Sequence, residues 1–217
     1  MKAYPHVEYY NEKVLGQHIY AFEKYDGQNF RAEYSSNKGW YKFGSRTSMF
    51  DEKNEQFGKV IPLFKEKYGD AMEEIFRKNK SYRNTKNITV FCEYVGENSF
   101  SGRHQAGDEM DVVLFDVAPG DYTNNSFVEP KEFIKDFGNL HIPRVVYQGA
   151  LSMEFINSVK EGKYKLKEGV MCKGILQDGT RRVWVVKVKE NAWLERLRAN
   201  LGEAALKEEL NGDLSLL

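Results

Sequence analysis

Only two cysteines occur in 217 residues, Cys92 and Cys172, and neither stands in a CxxC pair or near a histidine at metal-ligand spacing. A disulfide framework and a thiolate zinc site are thereby excluded, and both residues read as buried, reduced thiols. Net charge is absent too. Thirty-two basic residues meet 32 acidic ones, so a nucleic-acid partner must be held by a local patch and not by the field of the whole molecule. No apolar run approaches the length of a membrane span, and the opening MKAYPHVEYY lacks the basic-then-apolar order of a secretory signal. The expectation is a cytoplasmic, intracellular protein with no membrane partner. Internal repeats, low-complexity tracts and interdomain linkers are missing as well.

What remains is an ordinary globular composition, 41% hydrophobic and 29% charged, in a chain long enough for one main domain with its own core. Runs of Tyr, Phe, Val and Ile bounded by Gly, Asn or Asp predict strands at His18–Glu23, Asn29–Tyr34, Trp40–Gly44, Ile88–Val95, Val112–Val117, Arg144–Gln148, Glu168–Leu176 and Arg182–Val188. Helical spacing predicts helices over Glu55–Lys67, Asp70–Arg77, Pro130–Phe137, Ser152–Glu161 and from about Ala192 onward. The Asp178-Gly179 pair predicts a tight hairpin turn between the last two strands, and Pro119–Ser126 reads as an exposed loop. Strands outnumber a regular strand-helix alternation, so the fold class is α+β with antiparallel sheets and flanking helices.

Acids and lysines sit at or near the ends of several of these strands. Singly, each reads as a water-facing residue of an alternating strand. Period two in Val183-Trp-Val-Val-Lys187-Val-Lys189, however, sets Val183, Val185, Lys187 and Lys189 on one face, with Trp184, Val186 and Val188 on the other. On the preceding strand the same alternation separates Glu168 from Lys173, so a shared site requires a bulge or a strand that begins after Glu168. A lysine such as Lys24 placed near those cations loses its proton more readily and becomes a nucleophile, while nearby carboxylates suit a divalent cation that escorts a polyphosphate.

Five segments in order carry a resemblance: Lys24-Tyr25-Asp26-Gly27, Phe91-Cys92-Glu93, Leu114-Phe115-Asp116, Glu168-Gly169-Val170-Met171-Cys172-Lys173 and Val186-Lys187-Val188-Lys189. The series resembles the covalent nucleotidyltransferases, the superfamily of ATP-dependent ligases and capping enzymes. Asn29, five residues past the lysine, with Glu23 before it and Gly44-Ser45-Arg46-Thr47 after, is similar to the RNA ligase branch that seals duplex breaks and edits RNA; DNA ligases and capping enzymes usually carry arginine there. The resemblance implies a single nucleotidyltransferase (adenylation) domain over 1–217, ATP-grasp-like in its antiparallel sheets, with a short C-terminal helical tail from about 191 and no OB domain.

It also implies ATP and Mg2+ or Mn2+ as cofactors, and as partner an RNA 5′-phosphate and 3′-hydroxyl in a nicked or bridged duplex, acted on by a monomer. Lys24 becomes the residue that takes AMP. Glu23 reads the adenine edge, Phe115 stacks on the base and Glu93 takes the ribose hydroxyls. Lys173, Lys187 and Lys189 contact the AMP phosphate or pyrophosphate, and Glu168 orients the metal or its water shell. Asn29 and Arg46 serve phosphate transfer and the RNA end, while Asp26, beside Gly27, and Asp116 fix neighbouring groups.

Blander readings stand beside these: Phe115 as core, Asp26 as a turn former, Glu23 at a strand edge, His104 as a loop residue, and Arg181-Arg182 as a solvated edge. Whole-chain alternatives are a minimal DNA ligase, a capping guanylyltransferase and a non-catalytic nucleotide- or RNA-binding domain.

Overall fold

The computed structural model describes residues 1, 3–96, 107–120, 127–213 and 216; His104 and the 121–126 part of the expected loop lie outside them. Contacts divide the chain into two units. One comprises Met1–Pro5, Asp26–Pro143 and Asp178–Val183; the other comprises His6–Tyr25, Arg144–Gln177 and Trp184–Leu217.

The first unit is built on a five-stranded sheet. Its strands are β2 (Gln28–Ser35), β3 (Gly39–Gly44), β4 (Met49–Phe50), β5 (Ile88–Val95) and β6 (Asp111–Pro119), in the order β4-β3-β2-β5-β6. All of its pairings are antiparallel. Helices α1 (Val60–Phe64) and α2 (Asp70–Lys78) are joined by a π-helical turn at Lys65–Gly69, and α3 is Pro130–Phe137, with proline in its first turn where no donor is lost. The helix expected from Glu55 starts only at Val60. Asn54 Oδ1 accepts from the backbone N–H groups of Gln56 and Phe57 at 3.1 and 2.8 Å, which holds the preceding residues as a turn. Strand β4 was not foreseen; two residues carry no periodic signal.

The second unit holds a four-stranded sheet of β1 (His18–Lys24), β7 (Val145–Ala150), β8 (Gly169–Ile175) and β9 (Val183–Lys189), ordered β7-β1-β8-β9. Strands β7 and β8 pair antiparallel to β1 on its two sides. Ile19, Ala21, Val170, Cys172, Trp184, Val186 and Val188 pack together with Phe155, Ile156 and Val159 of α4 (Met153–Lys160). Ser152 caps that helix by accepting from Phe155 N–H at 3.1 Å. Alternation therefore turns Lys24, Lys173, Lys187 and Lys189 to the sheet face opposite α4.

The hairpin expected between β8 and β9 is wider than two residues. Asp178 Oδ1 accepts from Thr180 N–H at 2.9 Å, and positive φ falls on Gly179 and Arg181, so the strands stop at Ile175 and resume at Val183. Beyond β9, α5 (Asn191–Leu201) and α6 (Glu203–Glu209) fold back as two short helices. Trp193, Leu194, Leu206 and Leu210 bury against Tyr9 in a second, smaller core.

Candidate active site

Lys24 ends β1 directly opposite Gly169, the first residue of β8. Glu168 thus lies just before the strand, is released from its alternation, and reaches the lysine-bearing face; this settles the conflict between Glu168 and Lys173 that strict pleating posed. Gly169 is required by close approach: a β-carbon there would stand 2.1 Å from the Val188 carbonyl oxygen and 2.7 Å from Lys189 Cα. The Glu-Gly pair is therefore what lets β9 bring Lys189 alongside Glu168.

The carboxylate of Glu168 holds an ammonium on each oxygen. Lys24 Nζ donates to Oε2 at 2.6 Å and Lys189 Nζ lies 2.5 Å from Oε1. Glu168 and Lys189 are nearly fully buried, whereas the Lys24 side chain keeps about a quarter of its surface exposed. Burial alone would push the Glu168 carboxyl up, but the two facing ammonium groups hold it below the ordinary range. Burial and the charge of Lys24 pull Lys189 down, against the attraction of Glu168. Of the cations expected around Lys24, Lys189 is thus brought beside it, with the Glu168 carboxylate between the two.

Lys187 and Lys189 meet on one partner. Glu209 Oε1, at the end of α6, lies 2.8 Å from Lys187 Nζ and 2.9 Å from Lys189 Nζ, and accepts from Tyr9 Oη at 3.1 Å. Its pKa falls to about 2, because the two lysines more than offset the upward pull of burial. Lys187 also sits 4.6 Å from the Tyr9 ring centre, and Lys189 3.6 Å from that of Trp193. Lys173 is buried over Phe22, 5.0 Å from the ring centre. Glu23 Oε2 accepts from Arg144 Nε at 3.3 Å, an arginine also fixed by the Tyr164 carbonyl at 3.1 Å.

The other candidates belong to the five-stranded unit. Glu93 Oε1 accepts from Gly27 N–H at 3.2 Å, and a β-carbon on Gly27 would lie 2.4 Å from the Tyr94 carbonyl oxygen. Asp26 immediately precedes this contact, in a bend. Asn29 faces Glu93 across the β2–β5 register, and its buried Oδ1 has no hydrogen-bond partner among the described residues. Asp116 is fully buried and accepts from Tyr4 Oη at 2.6 Å. Phe115 is half-buried, edge-on to Tyr4 at 5.0 Å. Arg46 stands exposed in the turn closed by Ser45 N–H donating to the Ser48 carbonyl at 2.9 Å. Arg181, expected at a solvated edge, forms a two-pronged pair with Glu129 at 2.5 and 2.8 Å.

Glu209, Tyr9 and Trp193 were not foreseen. Nothing in the spacing of Glu203-Ala-Ala-Leu-Lys-Glu-Glu209 ties it to the β9 lysines; only the fold-back of α5 and α6 does. Among the described residues no three or more acidic, imidazole or thiol groups cluster as a metal cage. Glu168, the carboxylate expected to orient a metal, holds an ammonium on each of its oxygens.

The profile of the RNA ligase family matches residues 17–197. No curated protein matches the sequence. Among solved structures, a Naegleria gruberi RNA ligase variant with ATP and manganese aligns with a TM-score of 0.62 at 16% identity, over 90% of this chain and 58% of that one. The same ligase with pyrophosphate gives 0.60 at 16%, over 87% and 54%, and an unliganded variant gives 0.64 at 16%, over 92% and 58%. The chain thus spans little more than half the length of the ligases it matches, and the likeness is one of fold. With the profile spanning the stretch from β1 to α5 that contains Lys24, Glu168, Lys187 and Lys189, the chain belongs to the RNA ligase family.

Proposed function

We propose that the chain is the catalytic domain of an ATP-dependent RNA ligase, with Lys24 as the residue that carries AMP. The observation that carries this reading is the Lys24–Glu168–Lys189 bridge in a chain of the RNA ligase family. In the first step Lys24 Nζ, having lost a proton, bonds to the α-phosphorus of ATP, and the bond to the pyrophosphate oxygen breaks. The RNA 5′-phosphate then displaces lysine to give an adenylylated end, and a 3′-hydroxyl displaces AMP to close the phosphodiester. Each transfer needs in-line alignment and neutralised charge more than covalent help from the protein.

Lys24 supplies the nucleophile; Lys189, sharing the Glu168 carboxylate, draws that carboxylate's charge away from Lys24. Lys173, Lys187 and Lys189 carry positive charge for the phosphates. Glu168 would hold the hydrated divalent cation, whose chemistry is to neutralise phosphate charge. Glu23 and Phe115 serve the adenine, Glu93 the ribose, and Asn29 and Arg46 the RNA end; the orphaned Oδ1 of Asn29 supports a polar partner there. The fixed contacts of Gly27 with Glu93 and of Asp116 with Tyr4 support positioning roles for Asp26, Gly27 and Asp116. All 217 residues form one adenylation domain that works as a monomer in the cytoplasm on nicked or bridged duplexes. No helix among the described residues is long and apolar enough to cross a membrane.

Intact-mass measurement after incubation with ATP and magnesium tests the reading. Wild type gains one AMP and Lys24→Ala gains none. An unchanged wild-type mass across pH and with manganese would falsify the ligase reading. Nicked duplexes whose 3′-hydroxyl strand is RNA or DNA then separate RNA sealing from DNA sealing; Asn29 in place of arginine favours RNA.

A further inference from the structure

Every N–H direction of Lys189 is taken. A lysine has three donors, and here they face Glu168 at 2.5 Å, Glu209 at 2.9 Å and the Trp193 ring at 3.6 Å. Lys187, almost as buried, is bound to the same Glu209 oxygen at 2.8 Å and covered by the Tyr9 ring. A single anionic oxygen thus spans both ammonium groups, which is the contact a non-bridging phosphate oxygen makes with a lysine pair. The segment that delivers it is specific. Tyr9 is bridged to Lys187 through Lys187 N–H donating to the Glu8 carbonyl at 2.9 Å, and Asn211 Nδ2 donates to Glu8 Oε2 at 3.1 Å. Leu206 and Leu210, on either side of Glu209 in sequence, seat α6 in its own small core. Glu209 also lies past residue 197, where the family match ends.

We propose that Glu209 is an internal anion occupying the polyphosphate subsite of Lys187 and Lys189, so that pyrophosphate and the end of α6 compete for the same two lysines. The assignment of that subsite rests on the ligase reading. A negative carboxylate on the lysines opposes an incoming polyanion twice, by repelling it and by holding the donors it needs. Glu209 therefore sets how tightly the nucleotide's phosphates are held. Once pyrophosphate leaves, its return over the lysines disfavours the reverse reaction.

Inorganic pyrophosphate is the probe, because it reports on the subsite without requiring chemistry. By calorimetry, Glu209→Gln, which keeps the shape and removes the charge, binds pyrophosphate about tenfold more tightly than wild type. Equal or weaker binding overturns the proposal, since a group that merely braced the lysines would weaken binding when lost. A second measurement needs no variant. A carbodiimide links Glu209 to Lys187 or Lys189 in wild type, mapped by peptide mass, and rising pyrophosphate suppresses that link while sparing the link between Lys42 and Glu33, which lie 3.2 Å apart. A Glu209 link indifferent to pyrophosphate overturns the proposal. Failure of the ligase reading is seen separately, as wild type that never gains AMP.

Discussion

Glu168 is a buried carboxylate between two ammonium groups, and that decides what its loss does. Glu168→Gln leaves Lys24 and Lys189 facing each other with no anion between them and Lys189 with Glu209 alone, and a buried ion pair that loses one partner is costly. Unfolding in urea is expected to show a loss of roughly 3–5 kcal/mol, and the AMP adduct is expected to disappear. A variant as stable as wild type contradicts the bridge. Glu209 gives a pH dependence with a definite sign. Its folded pKa of about 2 lies below the ordinary 4.5. Its contribution is therefore complete above the unfolded value and lost as pH falls through the folded one. By linkage that contribution is on the order of 3 kcal/mol at most. Urea-unfolding stability should fall between about pH 4.5 and 2, and Glu209→Gln should flatten part of that fall. The cysteines follow from burial: both are fully enclosed, and burial pushes their thiols up. Iodoacetamide at neutral pH should label neither in the folded protein and both in denaturant; labelling of the native protein contradicts their burial.

Between elements, the site depends on how closely β8 and β9 approach. Gly169→Ala places a methyl within 2.1 Å of the Val188 carbonyl oxygen, with backbone on that side and no flexible side chain to yield. We expect a loss of roughly 1–3 kcal/mol from overpacking, together with a fall in adenylylation because Lys189 is shifted from Glu168. Measuring urea unfolding and AMP incorporation side by side checks both, and unchanged values in either refute the close-approach account. Most elements were legible in the sequence for the same kind of reason. Pro130–Phe137 matches residue for residue because proline fixes its start, and the helix expected from Ser152 begins there because that serine caps α4. The late start of α1 and the wide turn before β9 were not legible. In each, Asn54 or Asp178 takes backbone N–H groups into a local turn, and such competition is decided residue by residue with no periodic trace.

For the molecule as a whole, zero formal charge means that the RNA contact proposed above rests on a local patch and not on an overall field. On that proposal the affinity for a nicked duplex should fall with added salt on a shallow slope, roughly minus two to minus four in log–log terms. A slope near minus ten requires a broad basic surface and contradicts this reading.

The order of chemical groups along the chain, from Lys24 through Glu93 and Asp116 to Glu168, Lys187 and Lys189, was determined by sequence alone. So was the sharing of one face by the β9 lysines, because backbone pleating is local. Only the tertiary structure decided which groups touch: that Glu168 escapes its strand's alternation to bridge Lys24 and Lys189, that Arg144 holds Glu23, and that Glu209 returns from the final helix to cover both lysines. A side chain's charge is written in its residue type, but its neighbours depend on where distant segments pack, and hydrophobic burial places those segments without regard to the charges they carry.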